Sequence, residues 1–574
     1  MFCLCPAQGR SFHISPEGAD DAAGTKAAPL RTIQAAAELA QPGDEVVVHA
    51  GVYRERIDPP RGGLGDDRRV TYRSAPGERV VIKGSEVVSG WKRLQGDTWS
   101  ADVPNTLFAD FNPFADLIRG DWFRPWGRKH HTGAVYLNGH WLTEAAKQDE
   151  VLEPAGKSAL WFAEVGEDIT TIWAQFKGVD PNRHLVEVNV RQAVFYPSKP
   201  GMNYITVKGF VLEQAATPWA PPTAEQIGLI GTHWSKGWRI EDNTIRYATC
   251  VGVTLGKYGD EWDNRAGTAE GYNGTIRRAL ERGWSKQNIG SHWVSGNHIS
   301  HCEQAGIVGS LGAVFSTIRG NHLHDIHVRK LFGGAEMAAI KFHAPIDMLI
   351  EGNCIHGNNR GIWLDWMAQG VRVTRNLLFD NGDGFDLFME VNHGPYLVDH
   401  NLFLSDRFLW DMSTGGAFAH NLAVGDIQVQ PQERRTPYHE PHSTALAGLS
   451  DVPGGDNRWF NNLLAGKCSL DVYRKFSGTM VIGGNVDLGF VPQLVRKDDG
   501  FFLVWDGGLP AVDGLRPVTS ERMGSTRISK LPYEQPDASP YLLDEGYFRK
   551  QHKEVLPGPF AAPPKRGSLR VWPR

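Results

Sequence analysis

Apolar side chains recur at every second position through much of this chain, in short runs interrupted by Gly, Asn, Asp and Pro. That texture predicts brief β-strands joined by tight turns. From Trp238 onward the runs become a repeat of an apolar–polar strand, an Asn, and a second apolar strand: WRIEDNTI, HWVSGNHI, STIRGNHL, MLIEGNCI, VRVTRNLL, YLVDHNLF, GAFAHNLA and NRWFNNLL. The Asn residues are Asn243, Asn297, Asn321, Asn353, Asn376, Asn401, Asn421 and Asn462. Most neighbours in this series lie roughly 20–25 residues apart, the length of one coil of a parallel β-solenoid, and the larger gaps require outward loops. In such a stack each Asn amide is expected to bond the backbone and the Asn of the next coil, a structural role that needs no chemistry.

The flanking pattern divides the chain. Residues 1–84 read as a cap and first coils: a strand at Phe12–Ser15, a short amphipathic helix carrying Leu30, Ile33, Ala37 and Leu39 and ended by Pro42-Gly43, then brief β-branched strands. Residues 85–199 alternate in longer strands, such as GAVYL, TIWAQF and LVEVNV, as in an antiparallel sandwich inserted into the solenoid. Its loop DWFRPWGRKHH brings Trp122, Trp126, His130 and His131 together, either as packing or as a cleft wall. Residues 200–500 are the main solenoid, interrupted by a Gly256–Ser291 loop with a helix expected over Tyr272–Arg282, placed to roof a site. The ladder is expected to fade beyond Gly483. Residues 501–574 read as a tail packed along the solenoid or as an oligomer contact, because Tyr541, Leu542, Leu543, Tyr547 and Phe548 would otherwise be exposed.

Within GIWLDWMAQGVRVTRNLLFDNGDGFDLFMEVNHGP, the period of two sets Ile362 and Leu364 on one face and Trp363 and Asp365 on the other. One coil later Phe385, Leu387 and Met389 oppose Asp386, Phe388 and Glu390. Measured from the preceding ladder Asn, Glu336 follows Asn321 by 15 residues, Asp365 follows Asn353 by 12 and Glu390 follows Asn376 by 14. Comparable offsets place these acids on one side of the solenoid. Coils stack at about 4.8 Å, so neighbouring carboxyls reach the roughly 5–5.5 Å used in retaining glycoside cleavage more readily than the roughly 6.5–9.5 Å of inversion. Asp386 and Asp411 share the outward parity by this reading and stand as rivals.

Composition narrows the chemistry. With 60 basic and 65 acidic residues the formal charge is −5 and no long run of either sign occurs, which argues against nucleic acid or an anionic membrane as partner. The 19 Trp suit stacking on neutral rings as well as core packing. Six Cys, scattered as Cys3, Cys5, Cys250, Cys302, Cys354 and Cys468, form neither a disulfide framework nor zinc spacing. With no signal-peptide h-region and no long apolar run, the expectation is a cytoplasmic, reducing setting and no membrane span. His322, His324 and His327, with Asp325, have strand spacing for metal ligation, but a third ligand is not assured, so no metal and no cofactor are expected. NTPase, serine hydrolase and zinc-hydrolase motifs are absent.

These blocks resemble glycoside hydrolase family 120, the β-xylosidases. The resemblance runs along nearly the whole chain and is carried most by HTGAVYLNG, KGVDPNRHLVEVNVRQAVFYP, GIWLDWMAQG and DLFMEVNHGP. It implies a right-handed parallel β-helix interrupted by a β-sandwich, release of xylose from the non-reducing end of short β-1,4-xylo-oligosaccharides with retention, and a homotetramer. It also implies roles: Asp365 as nucleophile, Glu390 as acid/base and Glu336 as an assisting acid. Trp363, Trp366, Trp234, His343, Asn392 and His393 are the candidate substrate-binding residues. The rival readings are a β-helix polysaccharide lyase and a non-catalytic carbohydrate-binding protein. A lyase needs a Lys or Arg base, and by sequence Lys341 and Arg360 are not grouped with the acids.

Overall fold

A computed structural model describes residues 9–153, 156–382, 384–510, 512 and 515–573. Cys3 and Cys5 lie outside the described residues. Cys250, Cys302, Cys354 and Cys468 are in no disulfide, and the first three of them are buried. The chain forms two compact units. The first runs to Arg265 and includes Asn297–Val308 and His327–Met337; the second comprises Ala266–Gly296, Gly309–Ile326 and Ala338 to the C-terminus.

In the first unit, strands Ser11–Ile14, Glu45–Val48, Val70–Ser74, Ile205–Lys208 and Arg239–Glu241 pair in parallel, and Gly51–Tyr53, Val80–Lys83, Val211–Ala215, Thr244–Ala248 and His298–Cys302 form a second parallel sheet. The expected short helix is Ile33–Leu39, capped by Thr32; it buries Ile33, Ala36 and Ala37 but leaves Leu39 exposed. Between the strands at Val80 and Ile205 stand two sheets whose strands are antiparallel except where Thr143–Glu144 pairs in parallel with Leu160–Val165. Their facing side chains, among them Trp91, Val103, Phe114, Val135, Trp161, Ile172 and Val188, share one core, which makes this insert a β-sandwich.

The second unit is a stack of three parallel sheets. One contains Leu349–Glu351, Val371–Thr374, Tyr396–Asp399, Gly416–Ala419 and Arg458–Phe460. The next contains His322–His324, Cys354–His356, Leu377–Phe379 and Leu402–Phe403. The third contains Ala338–His343, Ile362–Asp365, Leu387–Glu390, Arg407–Met412 and Asp426–Val429. The Asn ladder stands at the turn between the first and second sheets. Asn353 donates its backbone N–H and its Nδ2–H to Asn376 Oδ1, both at 2.9 Å, and a further Nδ2–H to Ile318 O at 3.0 Å. Leaving one such buried group unpaired costs about 1–3 kcal/mol, so the row holds the coil register. The residue before each Asn has positive φ: Gly320 and Gly352, but also Arg375, His400 and His420. The ladder does not fade at Gly483. Asn462 bonds Asn485 at 2.8 Å, and Val481–Gly483 and Val486–Asp487 complete another coil.

The tail closes two of these sheets. Phe501, Leu503, Trp505, Tyr547, Phe560 and Val571 pack against Leu377, Leu402, Leu422 and Leu463 of the second sheet. Val518, Met523, Tyr533, Tyr541 and Leu543 pack against Leu397, Ala417, Ala419 and Phe460 of the first. Of the exposed-apolar residues that motivated this expectation, Leu542 alone stays mostly exposed.

Candidate active site

The third sheet of the second unit carries the acids. Its register aligns His343, Asp365, Glu390 and Met412 in one row and Lys341, Trp363, Phe388 and Trp410 in another. Both rows face away from the Leu364–Met389 row that fills the solenoid. Asp365 and Glu390 are therefore direct cross-strand partners on adjacent parallel strands, the closest approach this fold gives to two side chains. Rings brace them: Trp363 stacks on Phe388 at 4.7 Å, and Phe388 on Trp410 at 4.3 Å.

The two carboxyls are held differently. Asp365 Oδ2 lies 2.7 Å from Lys341 Nζ and 2.9 Å from His343 Nε2, while its Oδ1 is buried with no partner among the described residues. Burial opposes its ionisation, but the Lys341 charge and the His343 ring more than reverse that and hold it well below the usual carboxylate range. His343 itself is pushed down to about 4, by burial first and by Lys341 second. A neutral ring then donates its Nε2–H to Asp365 at neutral pH. Glu390 accepts Trp363 Nε1–H at 3.1 Å and Arg434 Nη1–H at 2.9 Å. Burial, and next the charge on Asp365, push its carboxyl up to about 7 against the pull of Lys341 and Arg434. Two carboxyls whose surroundings drive their pKa values apart form an acid and an anion side by side.

Helix Ala269–Glu281, capped by Thr268 Oγ1, covers the pair. It starts three residues before the predicted position and sets Tyr272 edge-on to His343 at 5.1 Å and to Trp366 at 5.2 Å. A hairpin of Gln432–His439 and Leu446–Val452 brings Arg434 to Glu390. Its base is pinned by Thr436 Oγ1–H to Val391 O at 2.9 Å and by His439 N–H to Gln369 Oε1 at 3.0 Å.

The structure thus brings together Asp365, Glu390, Trp363, His343 and Trp366. Asn392 has another use: its amide accepts from Ala368 N at 2.7 Å and donates to Leu364 O and Ser413 Oγ, so it is a turn amide. His393 is spent on the hairpin, its Nε2 lying 3.0 Å from Thr436 O. Trp234 and Glu336 belong to the first unit, both buried. Trp234 meets Tyr258 edge-on at 4.8 Å, and Glu336 follows Gly333-Gly334, which pairs with Phe123-Arg124 of the sandwich loop. In that loop His131 Nδ1 bonds Glu144 at 2.7 Å, while Trp126 is exposed.

Three expectations are corrected. Lys341 is grouped with the acids, in contact with Asp365. Asp411 pairs in register with Met389, on the inward face, and is satisfied there by Tyr473 OH at 2.7 Å and Asn457 Nδ2 at 2.8 Å. Asp386 accepts from Asn381 Nδ2 at 2.8 Å and Ser405 Oγ at 2.6 Å, fully buried at a turn, so neither rival competes. Arg434 was missed altogether. The 41-residue gap between Asn421 and Asn462 signals its loop, though nothing in that gap tells where the loop leads.

The Glycoside hydrolase 120 insertion domain matches residues 88–188, and the right-handed β-helix region matches residues 227–418. Among solved structures the chain is similar to XylC, determined as a complex with xylose: 37% identity, 98% of this chain and 100% of that one covered, TM-score 0.90. Among curated proteins it matches the uncharacterized protein YwoF of Bacillus subtilis, 37% identical over 81 residues, and pectate lyase PEL9 of Emericella nidulans, 38% identical over 110 residues. Those matches take in 14% and 18% of this chain and span only 17% and 27% of the two relatives.

Proposed function

The chain belongs to glycoside hydrolase family 120, and on that premise we propose that it is a retaining β-xylosidase that removes xylose from the non-reducing end of short β-1,4-xylo-oligosaccharides. The observation that carries the mechanism is the Asp365–Glu390 pair: cross-strand neighbours, one kept ionised with a bare oxygen, the other holding a proton near neutral pH. Xylose as the sugar is supported by the XylC complex.

In the first step Asp365 Oδ1 attacks the anomeric carbon while Glu390 gives its proton to the leaving oxygen, and a glycosyl ester forms on Asp365. Esterification removes the Asp365 charge that had helped keep Glu390 protonated. Its pKa falls, and it becomes the base that takes a proton from water in the second step. Lys341 and His343, both bonded to Oδ2, leave Oδ1 as the attacking atom and stabilise the carboxylate as it departs. The family likeness extends the proposal to Glu336 as an assisting acid and to a homotetramer, with Trp234 a candidate sugar contact and the cytoplasm the proposed setting. No described helix is long and apolar enough to cross a membrane.

The test separates the two carboxyls. Glu390→Ala should lose about 10²–10⁴-fold on natural substrate. It should still form the intermediate from an aryl xyloside with a good leaving group, and azide should release it as the β-xylosyl azide. Azide rescue of Asp365→Ala, giving the α-azide, would reverse the assignment, and α-xylose as the first wild-type product would exclude retention.

A further inference from the structure

The second sheet of the second unit gathers a donor set that the hydrolytic site does not use. His322 and Cys354 are register partners on adjacent coils, as are His324 and His356, so the side chains at these alternate positions share one face. On that face His322 Nε2 lies 2.9 Å from His356 Nε2, and the Cys354 sulfur completes a trio whose ligating atoms all stand within 4.8 Å of one another. Cys354 is fully buried and both rings are half-buried, which leaves an approach from solvent. The histidine string in HLHDIH lacked an assured third ligand because that ligand comes from the next coil; His327 points elsewhere, to Phe332 O at 2.8 Å.

We propose that His322, Cys354 and His356 bind one zinc-class divalent cation. Two imidazole nitrogens and a thiolate are the borderline-soft donors such ions select, and a tetrahedral centre with M–N near 2.0–2.1 Å needs N···N of about 3.3 Å, a few tenths of an ångström from what is present. Two ring nitrogens aimed at each other share a single proton. Binding moves that shared proton, through solvent, to the Nδ1 of the ring that carried it, so that each neutral ring offers its Nε2 lone pair, and the Cys354 thiol gives up its proton to solvent as the bond to sulfur forms. His324 stacks parallel to His356 at 5.2 Å with its Nδ1 held by Asp325 Oδ2 at 2.7 Å, the carboxylate–imidazole pairing that orients rings around a metal. Water supplies the fourth position.

The place of the site says what it does. Phe501 lies 5.3 Å from the His356 ring, and Trp572 lies 6.3 Å from the His322 ring, so the tail strands rest on these ligands. The acids are on a different sheet. The cation is therefore a staple for the tail, not a participant in hydrolysis.

The experiment is titration of the full chain, stripped with chelator, with Co(II) and with Zn(II) alone. One equivalent should bind, Co(II) should produce a sulfur-to-metal charge-transfer band in the near ultraviolet, Zn(II) should raise the melting temperature, and kcat should not change. Cys354→Ala should abolish the band, and His356→Gln, at a half-buried position, should weaken binding by at least about tenfold. Absence of stoichiometric binding in the wild type, or binding and band unchanged in His356→Gln, overturns the proposal without recourse to the cysteine variant.

Discussion

Asp399 and Asp365 stand on different sheets of the second unit, each buried beside a cation and a histidine, and they differ in what is left over. Asp399 takes Arg372 on both oxygens at 2.8 Å, Thr374 Oγ1 at 2.9 Å and His400 Nδ1 at 2.8 Å, and it is fully buried. Asp365 has both of its partners on Oδ2 and none on Oδ1. Burial opposes ionisation at both, and at both the adjacent cations win and hold the carboxyl well below its usual range. Low pKa therefore does not separate structure from chemistry here. The unsatisfied oxygen does: an isolated buried acceptor is a loss in a scaffold and a reactant in a site.

The largest effect expected from exploiting this contrast is on turnover. Asp365→Asn should lower kcat/KM by at least about 10⁴-fold on every leaving group. Its urea midpoint should move less than that of Asp399→Asn, because Glu390, freed of the Asp365 charge that raised its pKa, ionises and balances Lys341. If activated aryl xylosides were still cleaved, Oδ1 would not be the attacking atom.

Asp399→Asn should do the reverse. Stranding Arg372 beneath Tyr541 is expected to cost about 3–5 kcal/mol, read as a drop in the urea midpoint, with kcat/KM of the folded fraction nearly unchanged. The sign follows from the depressed folded pKa: this stability is present above the unfolded carboxyl value near 4 and is lost as pH falls below it, so wild type and variant should converge in acid. Equal midpoints at pH 7 would mean that the Arg372 pair contributes nothing net.

The smallest effect concerns the other member of the proposed catalytic pair. Arg434 favours ionised Glu390, so Arg434→Gln should raise the carboxyl pKa, and the alkaline limb of kcat/KM, near 7 in wild type, should move up by about one unit. A pH profile that keeps its limb would reduce Arg434 to a contact of the hairpin.

Sequence carried the scaffold because its rules are local and repeated. Asn353 and Asn376 announce their partners by spacing, and Ile362 to Asp365 announce their faces by alternation. It failed where phase or path is set by tertiary contact. Phe408 to Met412 is apolar on both parities apart from Asp411, so only pairing with Leu387–Glu390 fixes which way Asp411 faces. Lys341 lies 24 residues from Asp365, one coil away, and was within reach of the same spacing argument that aligned the acids. Arg434 lies 44 residues from Glu390 on a hairpin that no repeat governs, and Cys354 joins the histidines only across a coil boundary.

The tail that covers two sheets also sets an order in time. The covering strands follow the coils they cover in the chain, and at about 5–20 residues per second the stretch from Phe501 to Val571 takes roughly 4–15 s to synthesise. For that interval Leu377, Leu402, Leu422 and Leu463 line a finished coil stack whose outer side is still greasy and open. Until Phe501, Leu503 and Trp505 dock, that row of leucines is an adhesive surface on a growing chain, the kind of transient exposure that chaperones shield.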